Sequence, residues 1–317
     1  MTPALRRIAI GTTVTAGAIL LWFSFVWPPP SWWRTHWPAQ TAFMAMRSRQ
    51  RGAGPDATPR HYAPVPAEAM SPWLPRAATA GEDEAFHLHH GIDYRALRDA
   101  IGYRRAAFSW GDPRDRAELW RALSRAWVRR DRLRGASTIT QQLAKNLYLS
   151  PSRNPLRKLK EALIAYRLEW ALDKHRILAL YLNVAEFGPN LWGVEAASEH
   201  YFGRPANRLS ADQAALLVAT LPHPLTSNPS YRPGRTRWRQ QLLLLKLGGA
   251  PVVVPREEAE DSVPALPLSP PDSGPGADTV RRDTLPPHND SAAASLIQPD
   301  TAAAPPTKAP PRAARRP

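Results

Sequence analysis

Three clusters in this sequence combine side chains able to do chemistry. The first is Glu82-Asp83-Glu84-Ala85-Phe86-His87-Leu88-His89-His90-Gly91. Acidic residues beside an aromatic and a glycine-terminated turn could hold a general base; the plainer alternative is a charged helix start with a solvated acidic cluster. His87, His89 and His90 also invite a metal reading. The HExxH spacing is missing, however, and adjacent histidines on a helix diverge, so no metal site is assigned. In the second cluster, Gln141 and Lys145 stand four residues apart, on a helix face opposite Ile139, Leu143 and Leu147. The plain alternative there is an ordinary solvent face. The third is Arg157-Lys158-Leu159-Lys160-Glu161, in which Arg157 and Glu161 share a helix face. An exposed pair at that spacing contributes only roughly 0.3 kcal/mol. Ile164 and Leu168 continue the same face, which puts Glu161 at the edge of an apolar surface, where a carboxylate needs either basic partners or protonation.

The elements that must position these clusters read as helices. Thr138-Ile139-Thr140-Gln141 is a capping box, and Ile139, Leu143 and Leu147 then recur every four residues. A second helix is expected from near Pro155, with Leu159, Leu163, Tyr166 and Trp170 as its buried stripe. A third covers about Lys174 to Val184. Ser210-Ala211-Asp212-Gln213 is another capping box, opening an apolar helix that stops at Pro222. No stretch alternates well enough to demand a large sheet, so the fold class is mainly α.

The flanks have a different character. Arg6 and Arg7 precede the uncharged, mostly apolar run Ile8 to Trp27, which is about the length of a membrane-crossing helix. The flanking charge places residues 1–7 in the cytoplasm and everything after the anchor outside it. The run ends in Trp27-Pro28-Pro29-Pro30, with no small-x-small cleavage site, which favours an anchor over a signal peptide. Residues 28–76 are rich in Pro, Arg and Trp without sustained periodicity and read as a juxtamembrane linker. The folded domain is expected over 77–250, and 251–317, rich in Pro and Ala, as a disordered tail with room for partner proteins. The net charge of +15 calls for an anionic partner, whether nucleic acid, membrane surface or phosphate-bearing substrate. The absence of cysteine excludes disulfides and thiolate chemistry.

Taken together and in order, these blocks resemble the motifs of the family 51 peptidoglycan glycosyltransferases. The resemblance rests on Glu82-Asp83-x-x-Phe86-x-x-His89-x-Gly91, on Gly135 to Asn146, and on Arg157-Lys158-x-x-Glu161. It continues through Arg176 to Asn183, Glu186-Phe187-Gly188, Gly193 to Ala197, Tyr201-Phe202-Gly203, Ala214 to Leu217 and Leu221-Pro222-x-Pro224. The stretches Asn183 to Gly188 and Leu221-Pro222-His223-Pro224 look most like the monofunctional branch. In keeping with that, no lysine follows a serine at S-x-x-K spacing, the signature of a penicillin-binding transpeptidase.

The resemblance implies a lysozyme-like helical domain that polymerises lipid II at the inner membrane, on the periplasmic side. An acceptor hydroxyl attacks the donor's anomeric carbon with inversion, giving a β-1,4 link and releasing the polyprenyl pyrophosphate. It implies Glu82 as general base and Glu161 as second carboxylate. Lys145, Arg153, Arg157 and Lys158 would bind phosphates, and Ser137, Gln141 and Gln142 sugar or phosphate groups. A divalent cation, Mg or Mn, would ride on the substrate pyrophosphate. A sugar-cleaving muramidase would share the architecture but has little use for the basic set. A scaffold homologue without activity has no need of both carboxylates. A nucleic-acid binder would carry its basic and aromatic residues on the wrong side of the membrane. One departure from the family is a longer segment between Gly91 and Gly135, with extra basic and aromatic residues around 101–121.

Overall fold

The computed structural model describes residues 3–23, 25–50, 61–105, 107–128, 137–149 and 155–255. Along the chain the described helices are α1 (Pro3–Phe23), α2 (Ala42–Gln50), α3 (Trp73–Glu82), α4 (Tyr94–Ile101), α5 (Pro113–Val128) and α6 (Ile139–Tyr148). They continue with α7 (Pro155–Ala171), α8 (Lys174–Val184), α9 (Val194–Phe202), α10 (Ala211–Thr220) and α11 (Gly234–Leu247). Three short strands, β1 (His61–Tyr62), β2 (Glu186–Gly188) and β3 (Leu191–Trp192), form a sheet in the order β1-β3-β2. β1 runs parallel to β3 and β2 antiparallel to it, with an irregular register between Glu186 and Gly188. The fold is mainly helical, as the sequence pattern requires.

Helix α6 is the hub, packing on α2, α7 and α8. Its capping box forms as read: the Thr138 hydroxyl accepts from the Gln141 N–H, and the Gln141 side chain accepts from the Thr138 N–H. The helix is buried nearly all round, from Ile139 through Leu147 except Gln142. Gln141 and Lys145 therefore do not lie on a solvent face, because neighbouring helices cover both sides.

The other caps and boundaries follow the sequence closely. α8 covers Lys174–Val184, with the Asp173 side chain as N-cap. α10 opens with the Ser210/Gln213 capping box. The stripe expected for α7 is rotated. Leu159, Tyr166 and Trp170 are exposed, Trp170 at 91%, whereas Glu161, Ile164, Ala165 and Leu168 are buried. The face continuing from Glu161 is the one that packs, since it meets α6. At Gly193 (φ 81°) a Cβ would stand 2.6 Å from the Asn183 carbonyl oxygen, so only glycine lets the start of α9 approach α8 this closely.

At the N-terminus, helix α1 ends at Phe23 rather than at Trp27, and no helix among the described residues is long and apolar enough to cross a membrane. Arg6 and Arg7 lie inside the helix, and Gly11, Thr12, Thr13, Thr15 and Gly17 dilute its apolar run. The segment read as a juxtamembrane linker does pack. Trp33, Phe43, Met44 and Met70 are buried in the main core, and Trp33 Nε1 donates to the Tyr148 hydroxyl at 2.5 Å. Its large apolar side chains are irregularly spaced because they dock onto α6 and α7 from a 3-10 turn (Pro30–Arg34) and a short helix. The residues expected to be a disordered tail lie outside the described residues, apart from 251–255.

The inserted segment forms an α4–α5 helical hairpin with its own polar centre. The buried Asp115 carboxylate accepts from the Tyr103 hydroxyl (3.1 Å), the Ser109 N–H (2.8 Å) and Arg105 Nε (2.5 Å). Trp110 and Trp120 point outward.

Candidate active site

Glu82 is the last residue of α3 and is 3% exposed. The acidic cluster therefore closes a helix rather than opening one, and only Glu84 is solvated, pairing with Lys246 at 2.7 Å. A carboxylate at a helix C-terminus faces the partial negative charge of the last carbonyls. Arg239 on α11 answers both charges: its Nη2 donates to Glu82 Oε1 at 2.9 Å and to the Gly81 carbonyl at 3.0 Å. Glu82 Oε2 accepts from Gln142 Nε2 at 3.1 Å. The Gln142 amide is in turn oriented by the Tyr181 hydroxyl, which donates to its Oε1 at 3.0 Å. Burial, and then the negative charge of Glu82, raises the Tyr181 hydroxyl well above its ordinary range, so it remains a donor. The carboxylate is thus held from two sides in one orientation, and each oxygen retains a lone pair for a hydroxyl proton.

A second group lies around Glu161 on α7. Glu161 Oε2 accepts from Arg157 Nη1 at 2.8 Å, and Oε1 from Lys158 Nζ at 2.5 Å. Lys158 Nζ also donates to the Ser137 hydroxyl at 2.7 Å. Glu161 is 2% exposed while Lys158 is half exposed, so the carboxylate is sheathed and the cation faces outward. The basic partners this carboxylate needs come from its own helix.

Lys145 belongs to a third group. Its Nζ lies 5.7 Å from the centre of the Phe43 ring, and the Arg47 guanidinium lies 5.0 Å from the same ring. Arg47 Nε donates to Glu186 Oε2 at 2.9 Å. These residues line a narrow cleft of about 30 Å³ with Gln142 and Tyr181.

Helix α6 joins the three groups. Ser137 stands just before its cap, Gln142 at the end of its first turn and Lys145 in its second. Gln142 bonds Glu82 and lines the same cleft as Lys145, and Ser137 at the helix start is linked through Lys158 to Glu161 and Arg157. Gln141 is spent on the cap and is 5% exposed, so its side chain holds the helix end rather than facing the cleft. Arg153 lies outside the described residues.

The residues that sequence reasoning gave no role are Arg239, Tyr181, Asp83, Arg47 and Glu186. Arg239 had a signal: Thr236, Arg239 and Leu243 fall on one helix face, and all three are buried. Arg47 had none, because its segment shows no period.

Residues 106–248 match the Transglycosylase family. The chain is 39% identical over 216 residues to the biosynthetic peptidoglycan transglycosylase of Azoarcus sp. (strain BH72), covering 68% of this chain and 84% of the relative. It is 37% identical over 241 residues to that of Laribacter hongkongensis (strain HLHK9), covering 76% and 95%. A contiguous match of that length within 317 residues necessarily includes Glu82, Glu161 and Arg239. The corresponding protein of Citrobacter koseri is 42% identical over 180 residues, covering 57% and 65%. With this much of its relatives' length matched, the chain belongs to the biosynthetic peptidoglycan transglycosylase family.

Proposed function

We propose that the protein polymerises lipid II into β-1,4-linked glycan strands by inverting glycosyl transfer, releasing the polyprenyl pyrophosphate, and has no transpeptidase activity. The observation that carries this reading is the buried Glu82 carboxylate, fixed by Arg239 and Gln142. Gln142 stands on the same helix whose start meets the cation Lys158 through Ser137, and Lys158 shares Glu161 with Arg157.

Glu82 takes the proton of the acceptor sugar hydroxyl as that oxygen attacks the donor's anomeric carbon. The bond from that carbon to the pyrophosphate breaks, and the departing charge is met by Lys145, Arg157 and Lys158, joined by Arg153. Glu161 keeps Arg157 and Lys158 in place, and Ser137 and Gln142 hydrogen-bond sugar or phosphate oxygens. Among the described residues no three His, Asp or Glu side chains gather to hold a metal. A divalent cation, Mg or Mn, would ride on the substrate pyrophosphate.

The protein works at the inner membrane, with its N-terminus cytoplasmic and its catalytic domain periplasmic. Helix α1 exposes Ile10, Val14, Ile19, Leu21 and Trp22, followed by Phe25 and Trp27. An apolar surface of this kind calls for an apolar surrounding. Trp110 and Trp120 on the α4–α5 hairpin suit the interfacial layer.

The test is to incubate the full-length protein in detergent with labelled lipid II, beside Glu82→Gln, and separate the products by size. Glycan ladders from the wild type alone support the reading. Ladders from both move the base to another residue, Glu161 first. No ladder from either, with lipid still bound, overturns the polymerase reading in favour of a scaffold.

A further inference from the structure

The last described segment, Ala250–Pro255, lies beyond the family match, which ends at residue 248, and from Pro251 onward beyond the domain boundary read from the sequence. It is neither helix nor strand. Val254 is 5% exposed and joins the main core, while Val253 beside it is 82% exposed. Between the segment and α3 lies a hollow of about 530 Å³, lined by Thr79, Ala80, Glu84 and Lys246. Val254 is therefore the point at which the segment is seated.

One residue further on, the Pro255 carbonyl accepts a hydrogen bond from Arg239 Nη1. The other terminal nitrogen of the same guanidinium holds Glu82 and the Gly81 carbonyl. Arg239 Nε has no partner, and the residue is 2% exposed. The planar fork is thus gripped at two points, the end of α3 on one side and Pro255 on the other. A ring of donors this rigid transmits a tilt at one nitrogen to the other. With Pro255 gone, Nη1 would be left buried and unsatisfied, and the fork would turn to find another acceptor.

We propose that Ala250–Pro255 is a strap that positions Glu82 through Arg239, so that the rate of glycosyl transfer depends on residues past the end of the family match. The inference rests on the reading of Glu82 as general base. Arg239 touches Glu82, and the strap touches Arg239. They act on where the carboxylate points, and proton transfer to a carboxylate is sensitive to that placement.

The experiment is a double-mutant cycle in the full-length protein, reading kcat and KM for lipid II polymerisation. Val254→Asp puts a charge at the seat and lifts the strap. Arg239→Lys keeps the positive charge but cannot hold three acceptors in one plane. Each single variant is expected to lower kcat about tenfold with KM within about twofold, as befits lost positioning rather than lost binding. In the Arg239→Lys background, Val254→Asp is expected to cost no more than about twofold further, because both act through one path. A wild-type kcat for Val254→Asp overturns the proposal, and so does an equal fractional loss in both backgrounds. If Val254→Asp loses its cooperative thermal transition, Val254→Ala carries the same cycle with a smaller loss that must likewise vanish beside Arg239→Lys. Glu82→Gln separates the two readings. Full activity there sinks the base assignment, whereas no activity there with a wild-type rate for Val254→Asp sinks the strap alone.

Discussion

Asp83 accepts the backbone N–H of Ile139 at 3.0 Å, which ties the motif holding Glu82 to the first turn of α6. The same carboxylate receives His89 Nε2 at 3.0 and 3.1 Å. A negative charge at a helix N-terminus is favourable, so this contact supports α6 while fixing the register between α3 and α6. Replacing Asp83 with Ala leaves the Ile139 N–H and the His89 ring nitrogen buried without acceptors. The expected loss is about 3 kcal/mol in urea-induced unfolding. A loss within error of zero would mean that water or a backbone shift satisfies both donors.

Arg47 and Glu186 form an ion pair whose side chains are 3% and 2% exposed. Taking away one partner of such a pair strands the other. Arg47→Met is expected to destabilise the protein by about 4 kcal/mol. Adding Glu186→Gln should restore much of that loss, because the stranded charge is gone. Calorimetric melts of the two single variants and the double variant test this, and strictly additive losses would contradict it. The result also asks whether α2 is structurally part of the catalytic body, as its burial against α6 says.

Tyr181 supplies a pH-dependent prediction. Burial and then Glu82 raise its hydroxyl well above 10.0, whereas the unfolded chain releases that proton near its ordinary value. The native state therefore holds a proton the unfolded state loses. The stability this group contributes is complete below about pH 10 and disappears as the pH climbs above it. Tyr181→Phe removes that dependence, so its stability should fall less steeply than the wild type's between about pH 9 and 11. Near neutral pH the variant should be less stable by about 1 kcal/mol, for the lost bond to Gln142. Parallel slopes for the two proteins would rule the assignment out.

What the sequence made legible was local. Both capping boxes and the Lys174–Val184 helix follow from short-range hydrogen bonding, which reads directly from residue order. The pairing of Arg157 with Glu161 was visible for the same reason, since both stand on one helix. The hold on Glu82 was not, because Arg239 is separated from it by most of the domain and meets it only through the packing of α3 on α11. The buried face of α7 departs from its apolar stripe because large apolar side chains mark the buried face only when a neighbour covers them. Trp170 is left outside while the smaller Ala165 goes in. The segment around Trp33 and Phe43 lacked a period because its contacts are made one side chain at a time.

The route from α1 to the body also has a mechanical meaning. Phe23 lies under Lys160, Trp33 bonds Tyr148, and Arg34 Nε bonds the Ala171 carbonyl at 2.6 Å. Lys160 and Ala171 both belong to α7, the helix that carries Glu161. The 3-10 turn that follows α1 is therefore mounted on α7 as an outrigger is mounted on a hull, and the last residue of α1 touches the same helix. A load on α1 would be borne by the helix carrying the site's second carboxylate before it reached the rest of the body.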